Sequence, residues 1–162
     1  GDDNEPTFTA PGNKPDIECF YQNFNSVCEV TMLTDRSQWY NEGQPVMRHV
    51  RDFEDNNPNK KTYGIFVAPR LHQDTVETFW VAVKHGYRGE SQKIVPLSIT
   101  QLIKLLEILV EIKESGKRLG HTDLAQLYEE IIAITNRVSD SAEWVEQIPS
   151  VIDSWRQSVI AR

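Results

Sequence analysis

Two carboxylates bracket the first alternating stretch of the chain. Asp16, preceded by Pro15, opens one segment rich in β-branched and aromatic residues. Glu29, followed by Val30 and Thr31, lies in the next. Together the segments read as a β-hairpin over Asp16–Tyr21 and Ser26–Leu33, with Gln22–Asn25 between them. If it closes with Phe20 facing Asn25, Asp16 stands directly opposite Glu29. Opposed residues share a face of the sheet with Cβ atoms about 4.5–5.5 Å apart, and Glu18 and Thr31 project with them. Facing carboxylates repel unless a proton, a water or a cation lies between them. Oxygen donors at that spacing suit Mg²⁺ or Ca²⁺ with several waters retained. Such an ion polarises a phosphate oxygen and lowers the pKa of a bound water. The same spacing also fits a solvated acidic strand face.

A third carboxylate follows on a helix. Gln38, Glu42, Pro45 and His49 recur at helical spacing and would form one polar face, directed along the sheet edge toward Asp16 and Glu29. His49 on that face could orient a water or bind a phosphate, or it could be an ordinary surface histidine.

These residues need elements to hold them. Ser37–Phe53 has helical periodicity, with Trp39, Val46, Val50 and Phe53 on one stripe and Pro45 as a kink or a shifted start. Tyr63–Ala68 reads as a buried strand, Thr75–His85 as a helix stopped by Gly86, and Ile94–Leu97 as another strand. Ser98 and Gln101 form a capping-box pattern before a helix to about Ser115. Thr122 caps a helix to about Asn136, and a last helix from Ser141 is expected to break near Pro149. Residues 1–14 read as loop or linker. The order β-β-α-β-α-β-α-α-α implies an α/β core with a helical C-terminal layer.

With 162 residues, 39 % apolar and 25 % charged, the chain matches a soluble domain able to bury a core. No apolar run is long enough to cross a membrane, and no signal-peptide pattern opens the chain. Two cysteines exclude a disulfide scaffold and a four-cysteine zinc site, and they suit a reducing compartment. Cys19 and Cys28 fall on the hairpin face opposite Asp16, as small buried hydrophobes. His72, His85 and His121 lack metal-ligand spacing, and no glycine-rich phosphate loop is present. Trp39, Trp80, Trp144 and Trp155 occupy apolar helix positions. The net charge of −7 argues against a surface uniformly built for nucleic acid. Residues 60–93 are the exception. Lys60, Lys61, Arg70, Lys84, Arg88 and Lys93 there outnumber Asp74, Glu77 and Glu90.

Pro15-Asp16, Glu29-Val30-Thr31, Gln38, Glu42, Pro45-Val46 and Arg48-His49, taken in one frame, resemble the PD-(D/E)xK nuclease fold. More closely they resemble the cleavage domain of type IIS restriction and nicking endonucleases of the AlwI/PleI/MlyI group. The run EVTMLTDRSQWYNEGQPVMRHV is the specific part, and Gly64–Pro69 with the strand-helix order after it is similar too. The resemblance implies a restriction-endonuclease-like mixed β-sheet flanked by helices. It implies one catalytic domain over 1–162, the C-terminal part of a larger bacterial cytoplasmic protein. The activity it implies is metal-dependent cleavage of double-stranded DNA, with Mg²⁺, or Mn²⁺ in its place, held by Asp16, Glu29 and the Val30 carbonyl. Glu42 and His49 match its helix-borne acidic residue and histidine. Sequence recognition would come from a separate N-terminal domain, and a double-strand break would need a second cleavage domain or subunit. Two departures stand out. Thr31 replaces the usual lysine, so Gln38, His49, a second metal or a lysine from elsewhere would serve its role. And only a loop precedes Asp16, where such domains carry a further acidic residue on a helix. A non-catalytic docking module on the same fold, or a nuclease for RNA or repair junctions, would share these residues.

Overall fold

The computed structural model describes residues 7–8 and 14–162. Alternation in the first segments produces an antiparallel pair, β2 (Ile17–Phe20) and β3 (Phe24–Val30). Its register places Ile17 opposite Cys28 and Phe20 opposite Asn25, as the pattern predicts. The turn is tighter than expected. Tyr21 N–H donates to the Phe24 carbonyl at 2.9 Å, so Phe24 and Asn25 belong to the strand rather than to the loop. Strand β3 ends at Val30, and residues 31–35 leave the sheet as a loop. A short strand β1 (Thr7–Phe8) pairs with Ile17 and Glu18. The loop expected over residues 1–14 is interrupted there, and the rest of 1–13 lies outside the described residues.

β3 then runs parallel to β4 (Lys61–Ala68), and β4 parallel to β5 (Ile94–Ser98), giving a mixed sheet in the order β1-β2-β3-β4-β5. The parallel pairs require crossovers. The first passes through α1 (Arg36–Gln38), a π-helical segment (Trp39–Gly43) and α2 (Gln44–Asn56). The second is α3 (Gln73–His85). Pro45 is the second residue of α2, directly after the π-helical segment. Val46, Val50 and Phe53 are buried as the stripe predicts. Phe66 of β4 meets Phe79 of α3, while Tyr63, one face over, meets Tyr128.

Tyr128 belongs to α5 (His121–Ala133), which follows α4 (Ile99–Glu114). The capping box of Ser98 and Gln101 forms as expected. Helix α5 starts earlier than predicted: Gly120, not Thr122, is its N-cap, and Asp123 accepts the Gly120 N–H. α6 (Ser141–Ala161) runs unbroken through Pro149. Burial of Trp144, Ile148, Ile152 and Trp155 along one stripe holds it together against the proline. The Trp144 and Trp155 indoles donate to the Ile131 and Asp123 carbonyls, tying α6 to α5. Among the described residues no helix is long and apolar enough to cross a membrane.

Candidate active site

The hairpin register brings Asp16 beside the end of β3. Asp16 lies one residue before β2, and its Oδ2 accepts the Val30 N–H at 2.8 Å. Glu29, on the neighbouring position, is 6 % exposed. Its face is set by Gly64. Val27 pairs with Gly64, and a Cβ on Gly64 would strike Val50 of α2. Glu29, two residues after Val27, therefore also faces α2. There His49 Nδ1 and Glu29 Oε1 share a hydrogen bond at 2.6 Å. His49 Nε2 is buried and has no hydrogen-bond partner among the described residues. Burial pushes the Glu29 pKa above its ordinary value. The hydrogen bond and charge of His49 pull it back, and the charges of Asp16 and Glu42 add to the rise. Asp16, Glu42 and His49 thus each bear on the ionisation of Glu29.

Two residues from the helical face behave differently. Gln38 is fully buried, and its side chain bonds to the backbone of two loops rather than to a carboxylate. Its amide N–H groups donate to the Leu33 carbonyl at 2.6 Å and the Arg70 carbonyl at 2.9 Å, and its Oε1 accepts the His72 N–H at 2.8 Å. It stitches loop 31–35 to the loop after β4. The expectation that Gln38 shares a polar face with Glu42 and His49 is corrected, because the π segment between them breaks the 3.6-residue phase. Thr31 is buried, and its hydroxyl accepts the Leu33 N–H at 3.3 Å. It braces the loop that follows β3. The glutamine at position 38 gives no sequence signal of its buried role beyond lying one residue before Trp39.

Gln38→Ala should leave the Leu33 and Arg70 carbonyls and the His72 N–H short of partners. A stability loss of about 2 kcal/mol or more is expected. Urea titration reads the loss, and hydrogen exchange should show the His72 amide losing protection while strand amides keep theirs.

Of the basic residues of 60–93, Lys60, Lys61 and Lys93 line one groove, shared with Glu54, Asp55 and Glu90, whereas Arg70, Lys84 and Arg88 do not line it. Lys61 pairs with Glu129 at 3.2 Å and Lys93 with the same carboxylate at 3.8 Å. Arg88 pairs with Asp52, and Lys84 lies over the Trp80 ring. Arg70 sits just past the C-terminal end of β4, the end nearer loop 31–35. Cys19 and Cys28 are free and half-buried, and burial first, then the Cys19, Glu29 and Asp16 charges, push the Cys28 thiol up to about 12. It stays protonated and inert.

Among the described residues, no three His, Cys, Asp or Glu side chains converge as a ready metal-binding group. The donor set nonetheless suits a hard divalent cation completed by waters. It offers two neighbouring carboxylates, and the buried one, Glu29, is raised in pKa first by that burial and then, to a lesser degree, by the charges of Asp16 and Glu42.

A mixed sheet with crossover helices on one face and further helices on the other defines the class: this is a restriction-endonuclease fold. The small subunit of the heterodimeric restriction endonuclease R.BspD6I has a similar solved structure. The TM-score is 0.65 at 17 % identity, over 93 % of this chain and 71 % of that one. The chain itself belongs to the AlwI restriction endonuclease family, whose model matches residues 1–105. No curated protein matches it.

Proposed function

We propose that this chain is the cleavage domain of a type IIS restriction or nicking endonuclease of the PD-(D/E)xK kind, hydrolysing DNA phosphodiester bonds with Mg²⁺ or Mn²⁺. The observation that carries this is the Asp16 carboxylate seated on the Val30 amide at 2.8 Å, which sets it beside Glu29 at the open end of β3. Asp16, Glu29 and the Val30 carbonyl would hold the ion. The ion, when bound, polarises the scissile phosphate and lowers the pKa of water. His49 orients the Glu29 carboxylate through their shared hydrogen bond, and Glu42 adds negative charge that favours cation binding. With a net charge of −7, the domain relies on the cation and on a separate, more basic recognition domain to meet DNA. One such site cuts one strand, so a double-strand break needs a second cleavage domain or subunit. The test is nicking of supercoiled plasmid by this chain and by the longer parent protein, with Mg²⁺, Mn²⁺ or EDTA. Metal-dependent nicking supports the reading. Its absence from both proteins overturns it.

A second reading rests on Thr31, whose hydroxyl serves the loop instead of the site: a docking subunit that keeps the fold without catalysis. Calorimetric titration with Mn²⁺ separates the two, since a docking subunit gives no heat that depends on Asp16.

Metal binding needs Glu29 ionised, so protons compete with the ion. Because burial raises the Glu29 pKa, cleavage should fall with decreasing pH from above the ordinary glutamate range. His49 lowers that pKa, so His49→Ala should move the acid limb of the pH-rate profile to higher pH. Raising Mg²⁺ should move the limb back down. An unmoved limb would detach His49 from Glu29's ionisation.

A further inference from the structure

Helix α4 carries a second surface. Leu105, Ile108 and Ile112 turn inward and are buried, whereas Ile103, Leu106 and Val110 stand 50 %, 53 % and 54 % exposed on successive turns. These three, with Glu107, Glu111 and Glu114, line a groove of about 360 Å³. None of Asp16, Glu29, Glu42 or His49 lines it. The helix is tied to α6 beside the groove. Lys104 pairs with Asp153 of α6 at 2.6 Å, and Arg156 of α6 donates to both Glu111 carboxylate oxygens from the Nε–Nη2 edge of its guanidinium, with Nε donating at 2.7 Å. Glu107 and Glu114 remain exposed on the rim. Lys113, also exposed, lies beyond the lining at the C-terminal end of the stripe.

An apolar stripe at i, i+3 and i+7 is the footprint of helix-in-groove recognition. The rim decides what fits. In a two-fold pairing of α4 with a second copy, the middle of the stripe meets itself, and Glu107 faces Glu107. Like charges brought together there disfavour a homodimer. We propose that α4 docks an amphipathic helix of a different chain, one whose leucine-type residues seat on Ile103, Leu106 and Val110 and whose flanking lysines or arginines meet Glu107 and Glu114. The surface lies wholly on α4 and does not depend on whether Asp16 and Glu29 cut DNA.

The test uses a fluorescein-labelled designed helix with a leucine stripe flanked by lysines, and a twin flanked by glutamates. Fluorescence polarisation should show saturable binding of the lysine helix to the whole chain, weakened by salt. The glutamate twin should bind about tenfold more weakly or worse. Leu106→Glu, at a half-exposed site, should reduce lysine-helix binding by a similar factor while circular dichroism and metal-dependent nicking stay unchanged. Glu107→Lys with Glu114→Lys should reverse the preference between the two helices. No binding, equal binding of both helices, or indifference to Leu106→Glu overturns the proposal. So does a dimer of the chain by sedimentation that Leu106→Glu dissolves, since a second copy would then own the groove.

Discussion

Glu29→Gln is expected to reduce metal-dependent plasmid cleavage by about three orders of magnitude, the scale of losing a site worth several kcal/mol of charge stabilisation. The amide keeps the shape but offers the cation no charge. The same substitution should make the fold more stable at neutral pH. Burial raises the Glu29 pKa despite His49, so the folded chain holds that proton more tightly than the unfolded chain does. Folding stability therefore falls as pH rises through the interval between the unfolded and folded values, and the deficit is complete above it. Glutamine mimics the protonated acid at every pH. The melting temperature of Glu29→Gln should exceed the wild type at pH 8, and the gap should close as pH falls below the ordinary glutamate value. Retained cleavage would remove Glu29 from the site. A stability gap that does not depend on pH would show that its charge carries no folding cost.

Gly64→Ala should be among the most destabilising single-methyl changes in the chain. Its Cβ would lie 2.4 Å from Val50 Cγ2 and 3.5 Å from Ile94 Cγ1. Val50 and Ile94 are both fully buried, so neither yields easily. Overpacking of this kind costs about 1–3 kcal/mol, a melting-temperature drop of roughly 3–10 °C for a domain of this size. Val50→Ala removes the clashing methyl and leaves a cavity, costing roughly 1–3 kcal/mol alone. The double variant should be more stable than the two losses added together, by about 1 kcal/mol. The effect extends to the site, because Val50 adjoins His49 on α2. If α2 moves outward to admit the methyl, His49 withdraws from Glu29 and cleavage falls before the fold does. A Gly64→Ala protein with wild-type melting would mean that β4 and α2 lie further apart than described.

The hairpin that sets Asp16 beside Glu29 was legible because two segments rich in β-branched and aromatic residues flank a short connection, although burial does not alternate along either strand. The capping box at Ser98 was legible for a similar reason, since the pattern is local and its hydrogen bonds close within one turn. What escaped the sequence depended on distant partners. Strand β1 is two residues long and takes its order from Glu18 and Ile17. Pro149 reads as a break, yet two buried tryptophans on either side of it carry the helix through. Gln38 looks like a site residue by spacing, and only the carbonyls of Leu33 and Arg70, one of them more than thirty positions away, reveal its burial. The family resemblance names Asp16, Glu29, Glu42 and His49; the fold joins His49 to Glu29 and seats Asp16 on the Val30 amide next to it.

The π turn at Trp39–Gly43 works as a phase shifter between two halves of one helical path. Upstream, the path is geared to the protein interior, where Gln38 locks two loops. Downstream, it is geared to the sheet, where Val50 packs on Gly64 and His49 reaches Glu29. A uniform α-helix cannot serve both meshings, since turning one half into place turns the other out. Residue count in this stretch is therefore a setting of the machine. Losing Tyr40 or Asn41 would leave every catalytic candidate in the chain and put the two halves out of step.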